Sequence, residues 1–257
     1  NSAPNNSYRE FAEELFIRSV PHFNALVHMR GVANTIIGIS HYLKIHPYND
    51  ELLNQLKALT VPLIEAYDRH RGPDWHWFEE KLTYDNAILP LALLHSSEIT
   101  GDQHVSEVAF ESIEFLDKLT LSKGYLSPVG SDGWYYRGSD MAIFDQQAIE
   151  TMAMVLMYAK AYDISQKADY INKMYMSFLW FLGENTLRLP LYDHETKGCC
   201  DGLQPGGLNR NQGAESTLAY LVSHLIVLKS LDAESVIEVE KNMKIVKSEA
   251  KAEFEAA

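Results

Sequence analysis

Three times along this chain a short polar turn leads into an alanine and then a strongly apolar run. These are Tyr84-Asp85-Asn86-Ala87 before ILPLALL, Phe144-Asp145-Gln146-Gln147-Ala148 before the Met-rich 152–157, and Asn211-Gln212-Gly213-Ala214-Glu215 before STLAYL. The alanines stand about 60–65 residues apart, a recurrence that marks a repeated supersecondary unit. Each apolar run is long enough for a helix. In two units a short turn follows, Thr100-Gly101-Asp102 or Asp163-Ile164-Ser165, and then a more amphipathic segment. The unit is therefore an αα-hairpin with an apolar inner helix and a half-exposed outer one.

Apolar residues recur at helical spacing through most of the chain, and few runs alternate as a half-buried strand does. The fold class is all-α. The periodicity predicts helices over 7–18, 29–46, 50–69, 84–99, 104–119, 146–163, 166–182, 212–229 and 233–255. Asn49, Asp50, Asp85, Asp145, Ser165 and Asn211 stand where the free amides of a helix start need a cap. Repeated hairpins stack as an open solenoid or close as a ring. Residues 120–144 and 183–210 are long, aromatic and acidic, and both lead into an inner helix. Loops of that length are usually functional, so a cavity at the loop-bearing end is expected. Residues 1–232 form the expected domain. Residues 233–257, rich in Glu, Lys and Ala, form a helical cap or tail.

The formal charge of −13 over 257 residues speaks against nucleic acid or an anionic membrane surface, which need clustered Lys and Arg. No apolar stretch is long enough to span a membrane, and the first residues lack the apolar core of a signal peptide. The chain does not begin with Met, which points to processing or to a piece of something longer. The only cysteines, Cys199 and Cys200, are adjacent. They cannot staple distant segments, so a reducing, cytoplasmic setting is expected.

The long segments carry a carbohydrate-like inventory. Trp75, Trp77, Trp134 and Tyr136 offer flat surfaces for the C–H faces of a sugar, while Arg137, Asp201, Asn211 and Gln212 can exchange hydrogen bonds with its hydroxyls. Glycoside cleavage needs two carboxyls on either side of one bond; among Asp85, Asp145, Glu215 and Glu79 the first two are the leading acid and base, with Glu215 and Asp201 positioning water and substrate. Glu215 lies in the first turn of its helix, where the dipole favours an anion, so it suits a base or a ligand clamp.

Plainer readings stand beside these. Capping alone would account for Asp85, Asp145 and Asn211; Trp75, Trp77 and Trp134 could plug the mouth of a ring; Trp180 reads as core. Asp193-His194-Glu195 with Cys199 and Cys200 makes a poor metal cluster, since neighbouring cysteines do not easily share one ion. No metal or cofactor is expected. An isomerase would need a His base, for which only His76 and His194 are well placed.

The blocks WHWFEEKLTYDNAILPLALL, FDQQAIET and YDHETKGCCDGLQPGGLNRNQGAESTLAYL resemble those of a bacterial α/α-toroid domain of the six-hairpin glycosidase type, found as or beside glycosyltransferases. The resemblance runs from about residue 28 to 229. It implies a sugar-binding groove at the inner-helix N-termini, lined by Glu79, Asp85, Asp145, Asp201 and Glu215, with acids among them as general acid and base. An oligosaccharide is the implied partner, with a glycosyltransferase domain or subunit as a further one. A complete ring of this type has twelve helices, against nine expected here. A non-catalytic glycan-binding module attached to a glycosyltransferase remains the alternative.

Overall fold

The computed structural model describes residues 5–231, and the helix expected over 233–255 lies outside them. Eight α-helices account for most of the described chain: α1 Asn6–Ser19, α2 Met29–Leu43, α3 Asp50–His70, α4 Ile88–Thr100, α5 Gln103–Thr120, α6 Ala148–Ser165, α7 Ala168–Leu179 and α8 over 214–231. Five very short strands join them: β1 Lys81–Leu82, β2 Tyr135–Tyr136, β3 Gln146–Gln147, β4 Gly202–Gln204 and β5 Gly207–Asn209. The chain divides into two compact units. Among the described residues, one holds 5–119 with Trp134–Met141, the other Thr120–Gly133 with 142–231.

In the first unit α2, α3 and α4 pack together. The side chain of Asn49 caps α3 through the amide of Leu52 at 3.0 Å, and Asp50 and Glu51 place negative charge in the first turn. Leu52, Leu56, Leu59, Leu63 and Ala66 then form a buried stripe at helical spacing. On α4 every residue from Ile88 to Ser97 is buried, as expected of an inner helix, and Gly101 closes it in the left-handed conformation at φ 69°. The pair β1–β2, with Lys81 opposite Tyr136, ties residues 134–141 to this unit.

The second unit holds α6, α7 and α8. Buried residues surround most of α6, whereas α7 buries the stripe Tyr170, Ile171, Met174, Ser177 and Phe178 and packs against α6. Helix α8 sets Tyr220 against Phe178 and Phe181. It departs from the other two apolar helices in leaving Leu218 and Leu225 exposed. A three-stranded antiparallel sheet, β3–β4–β5, lies between the helices in sequence, with Gln147 opposite Gly202 and Gly202 opposite Asn209.

The inner helices begin later than the periodicity predicts, for a local reason. Asp85 and Asp145 both sit in the left-handed region, at φ 48° and 49°, which a helix cannot pass through but a short polar residue tolerates. In the first unit the buried Asn86 brackets Asp85 by accepting from the Thr83 amide and donating to the Thr83 carbonyl. In the second, Gln146 and Gln147 pair as strand before α6 starts. Among the described residues no helix is long and apolar enough to cross a membrane.

Candidate functional site

In the second unit a cleft of about 350 Å³ opens where α6 and α8 begin. Asp145, Asp201 and Glu215 line it, together with Gln147, Gln204, Asn209 and the hydroxyls of Ser131 and Ser216. Each element delivers its residue for a traceable reason. Ser131 arrives because 130–132 hydrogen-bonds to 142–145: the Gly130 amide donates to the Ala142 carbonyl at 2.8 Å and the Ser131 amide to the Asp145 carbonyl at 3.0 Å. A side chain at Gly130 would collide with the Phe144 carbonyl, so only glycine permits that approach. Gln204 and Asn209 are carried by the β4–β5 hairpin.

Gln146 is fully buried and locks the floor of this region. Its Nε2 donates to Thr186 Oγ1 and to the Ile143 carbonyl, both at 2.8 Å, and its Oε1 accepts from Trp180 Nε1 at 2.9 Å. A buried carboxamide with these partners fixes the orientation of residues 143–147, and with them Asp145.

Asp201 is the organising carboxylate. It accepts from the Gly213 amide at 2.8 Å, from Ser216 Oγ at 2.7 Å and from Asn211 Nδ2, and so caps α8. Burial opposes its ionisation, but the hydrogen bonds from Asn211, Ser216 and Gly213 outweigh that and hold the carboxyl below its ordinary value. Gln212 anchors the neighbouring loop: its Oε1 accepts from Thr196 Oγ1, and its Nε2 donates to Asp193 at 3.1 Å. Asp193 is held low by the backbone amides of Glu195 and Thr196, with Gln212 helping. Glu215, in the first turn of α8, is exposed toward the cleft.

The other expected site residues belong to the first unit. Trp75 and Trp77 are 3% and 0% exposed, so neither presents a face on which a sugar could stack. Trp75 packs on Phe115 and Tyr135 and donates Nε1 to the Glu79 carbonyl at 2.8 Å; Trp77 packs on Phe78. Burial of these large rings outweighs any gain from leaving them as platforms. Arg137 is a strap: its Nη1 donates to the His70 carbonyl at 3.0 Å, and the guanidinium lies near Glu80 and over Trp75. Trp134, at φ 59°, is half-buried and Tyr136 half-exposed.

Glu79 is bound by Arg30 Nη1 at 3.1 Å, while Arg30 Nη2 reaches Thr83 Oγ1 and Nε the Tyr84 carbonyl at 2.6 Å. Asp85 is buried in the same loop. Of the two histidines weighed as bases, His76 lies 3.3 Å from the Tyr67 hydroxyl, which itself donates to Glu111 at 2.6 Å, and His194 packs edge-on against Tyr192. Tyr67 is pushed up by burial and then by Glu111, so its hydroxyl keeps its proton.

Cys199 and Cys200 are free and buried. Burial first, then the neighbouring Cys200 and Asp201, push the Cys199 thiol up to about 12, so it is protonated at neutral pH and a poor nucleophile. Among the described residues no three His, Cys, Asp or Glu side chains converge as metal donors. The residues that sequence reasoning passed over are Arg30, Ser131, Gln147, Gln204 and Ser216. Gln147 stood in the FDQQA block beside a flagged Asp, Ser216 follows Glu215 on α8, and Gln204 lies in a local hairpin; Arg30 and Ser131 carried no local signal, because distant hydrogen bonds place them. The chain matches no protein-family model, and no match is found among curated proteins.

Proposed function

We propose that the chain is a carbohydrate-active protein of the α/α-toroid, six-hairpin glycosidase type, and that it cleaves a glycosidic bond of an oligosaccharide with Asp145 and Glu215 as the paired carboxyls. One observation carries this reading: these two acids, one just before α6 and one in the first turn of α8, line the same cleft among carboxamides and hydroxyls. The helix N-terminus favours an anion at Glu215, which gives it the part of base or nucleophile, and Asp145 then protonates the leaving oxygen. Asp201, tied to the start of α8, holds the cleft wall rather than the reacting bond. Asp85 and Glu79 belong to the first unit and do not line this cleft.

A second reading, a non-catalytic glycan-binding module acting with a glycosyltransferase, is favoured by the share of Gln147, Gln204 and Asn209 in the lining, since carboxamides recognise hydroxyls without chemistry. The buried thiol pair supports a reducing, cytoplasmic setting. The test is mass-spectrometric product analysis with a broad oligosaccharide panel, using Asp145→Asn and Glu215→Gln beside the unsubstituted chain. Cleavage that either substitution abolishes is the expected result. Cleavage that survives both refutes the assignment of the pair, and retention of a glycan without turnover selects the binding module.

A further inference from the structure

We infer that the cleft at the starts of α6 and α8 takes a neutral polyhydroxylated ring and turns away sugars that carry a carboxylate, sulfate or phosphate. The inference rests on the carbohydrate reading above and names the class of substrate within it. It stands on three features of the cleft.

The formally charged side chains in the lining are Asp145, Asp201 and Glu215, with no Lys, Arg or His among them. Arg210, on the segment leaving β5, is exposed and is not part of the lining. An anionic ligand would give up water here and meet acids with no counter-charge, a cost that grows as the cleft excludes solvent.

At the start of α8 one of the amides that could hold an anion already has one, and the carboxylate it holds repels another. Free amides at a helix N-terminus bind phosphate and sulfate, but the Gly213 amide points at Asp201, and the Ser216 hydroxyl joins it on the same carboxylate. Asp201 is thus a built-in anion at the start of α8. Because its hydrogen bonds keep it ionised, it competes with any incoming one at neutral pH.

The remaining polar groups suit hydroxyls. Gln147, Gln204, Asn209 and Ser131 each offer both a donor and an acceptor, which matches the dual character of a sugar hydroxyl. At about 350 Å³ the cleft is near the small end of ligand sites, so it holds a short segment rather than a long run of chain.

The test compares binding of the full chain, by calorimetric titration, to two matched oligosaccharide series: neutral hexose oligomers, and the same linkages with a uronic acid or sulfated residue. Neutral oligomers are expected to bind at least tenfold more tightly, with the gap narrowing as salt is raised and the acids are screened. Gln204→Lys, at an exposed position of the cleft rim, is expected to improve the charged series severalfold. Equal or tighter binding of the charged series overturns the inference while leaving the carbohydrate reading standing. Binding of neither series, with Gln204→Lys equally silent, overturns both.

Discussion

Removing the Asp201 carboxylate tests whether one side chain both starts α8 and shapes the cleft. Its partners are the Gly213 amide, Ser216 Oγ and Asn211 Nδ2. Losing a helix cap costs about 0.5–2 kcal/mol, and a hydrogen bond to a charged acceptor contributes about 1.5–3 kcal/mol where it is shielded. The site is only half-buried and opens on water, so the two side-chain bonds count at well under those values. Asp201→Ala is therefore expected to cost about 2–3 kcal/mol. Asp201→Asn keeps an oxygen for the Gly213 amide and Ser216 Oγ but loses the charge and the acceptor for Asn211 Nδ2, so a cost of about 1–2 kcal/mol is expected.

The charge gives a second signature. The carboxyl is held below its ordinary value of 3.8, so its stabilisation is fully present above about pH 4 and is lost as pH falls through the folded value. The difference between Asp201 and Asp201→Asn should be constant from pH 7 to about pH 5 and shrink below pH 4. Because the chain forms two units, a single unfolding transition is not assumed. Hydrogen exchange of the first amides of α8, alongside urea titration followed by circular dichroism, reads the local and the global cost separately. If Asp201→Ala costs less than about 0.5 kcal/mol, or if the Asp–Asn difference is unchanged to the acid limit of the native state, the capping argument is wrong.

Two further substitutions probe a loop in the first unit and the sheet that positions the site in the second. Arg30→Lys replaces a fork serving Glu79, Thr83 and the Tyr84 carbonyl with a point charge that cannot reach all three, and is expected to destabilise the first unit by about 1–3 kcal/mol in urea titration; restoration of full stability by Lys would refute the fork. Gly202→Ala drives a methyl into the Gln146 carbonyl across the β3–β4 pair, so a loss above about 2 kcal/mol and faster exchange at Gln147 are expected, and a neutral result would mean that the sheet is not holding Asp145.

The helices were legible because their apolar spacing is a local property: the stripe on α3 and the all-round burial of α4 are written within their own residues. Their starts were less so. The expected helix over 84–99 begins at Ile88, since the left-handed Asp85 interrupts what periodicity alone continues, and that over 146–163 begins at Ala148, since Gln146 and Gln147 pair as strand. The short strands were illegible because two or three residues carry no period, and in β1–β2 and β3–β4 the partners lie tens of positions away, as Gln147 and Gly202 do. The same holds for the site. Asp145, Asp201 and Glu215 were readable as residue types in the right neighbourhoods, whereas Ser131 reaches the cleft only through a pairing that sequence does not display. Trp75 and Trp77 were misread as platforms because aromatic rings near acids look alike whether they plug a core or face a ligand.

Two of the three polar turns show how one local device serves two ends. In both, a left-handed Asp stops the chain just ahead of an apolar helix. In the first unit the turn is closed over: Asp85 is 8% exposed, Asn86 is sealed against Thr83, and Arg30 pins the preceding residues. In the second unit the residue after the Asp turns inward instead, where Gln146 meets Thr186 and Trp180, and Asp145 is left at the rim of a cleft. The backbone conformation is therefore a folding requirement common to both copies, and its recurrence alone does not argue for chemistry. What distinguishes Asp145 is its neighbours: a second acid, Glu215, on a helix start that Asp201 has already capped. Because a separate carboxylate does the capping, Glu215 is free to face the cleft. The sharp expectation is that Asp85→Asn impairs stability without a specific loss of glycan binding or turnover, while Asp145→Asn does the reverse.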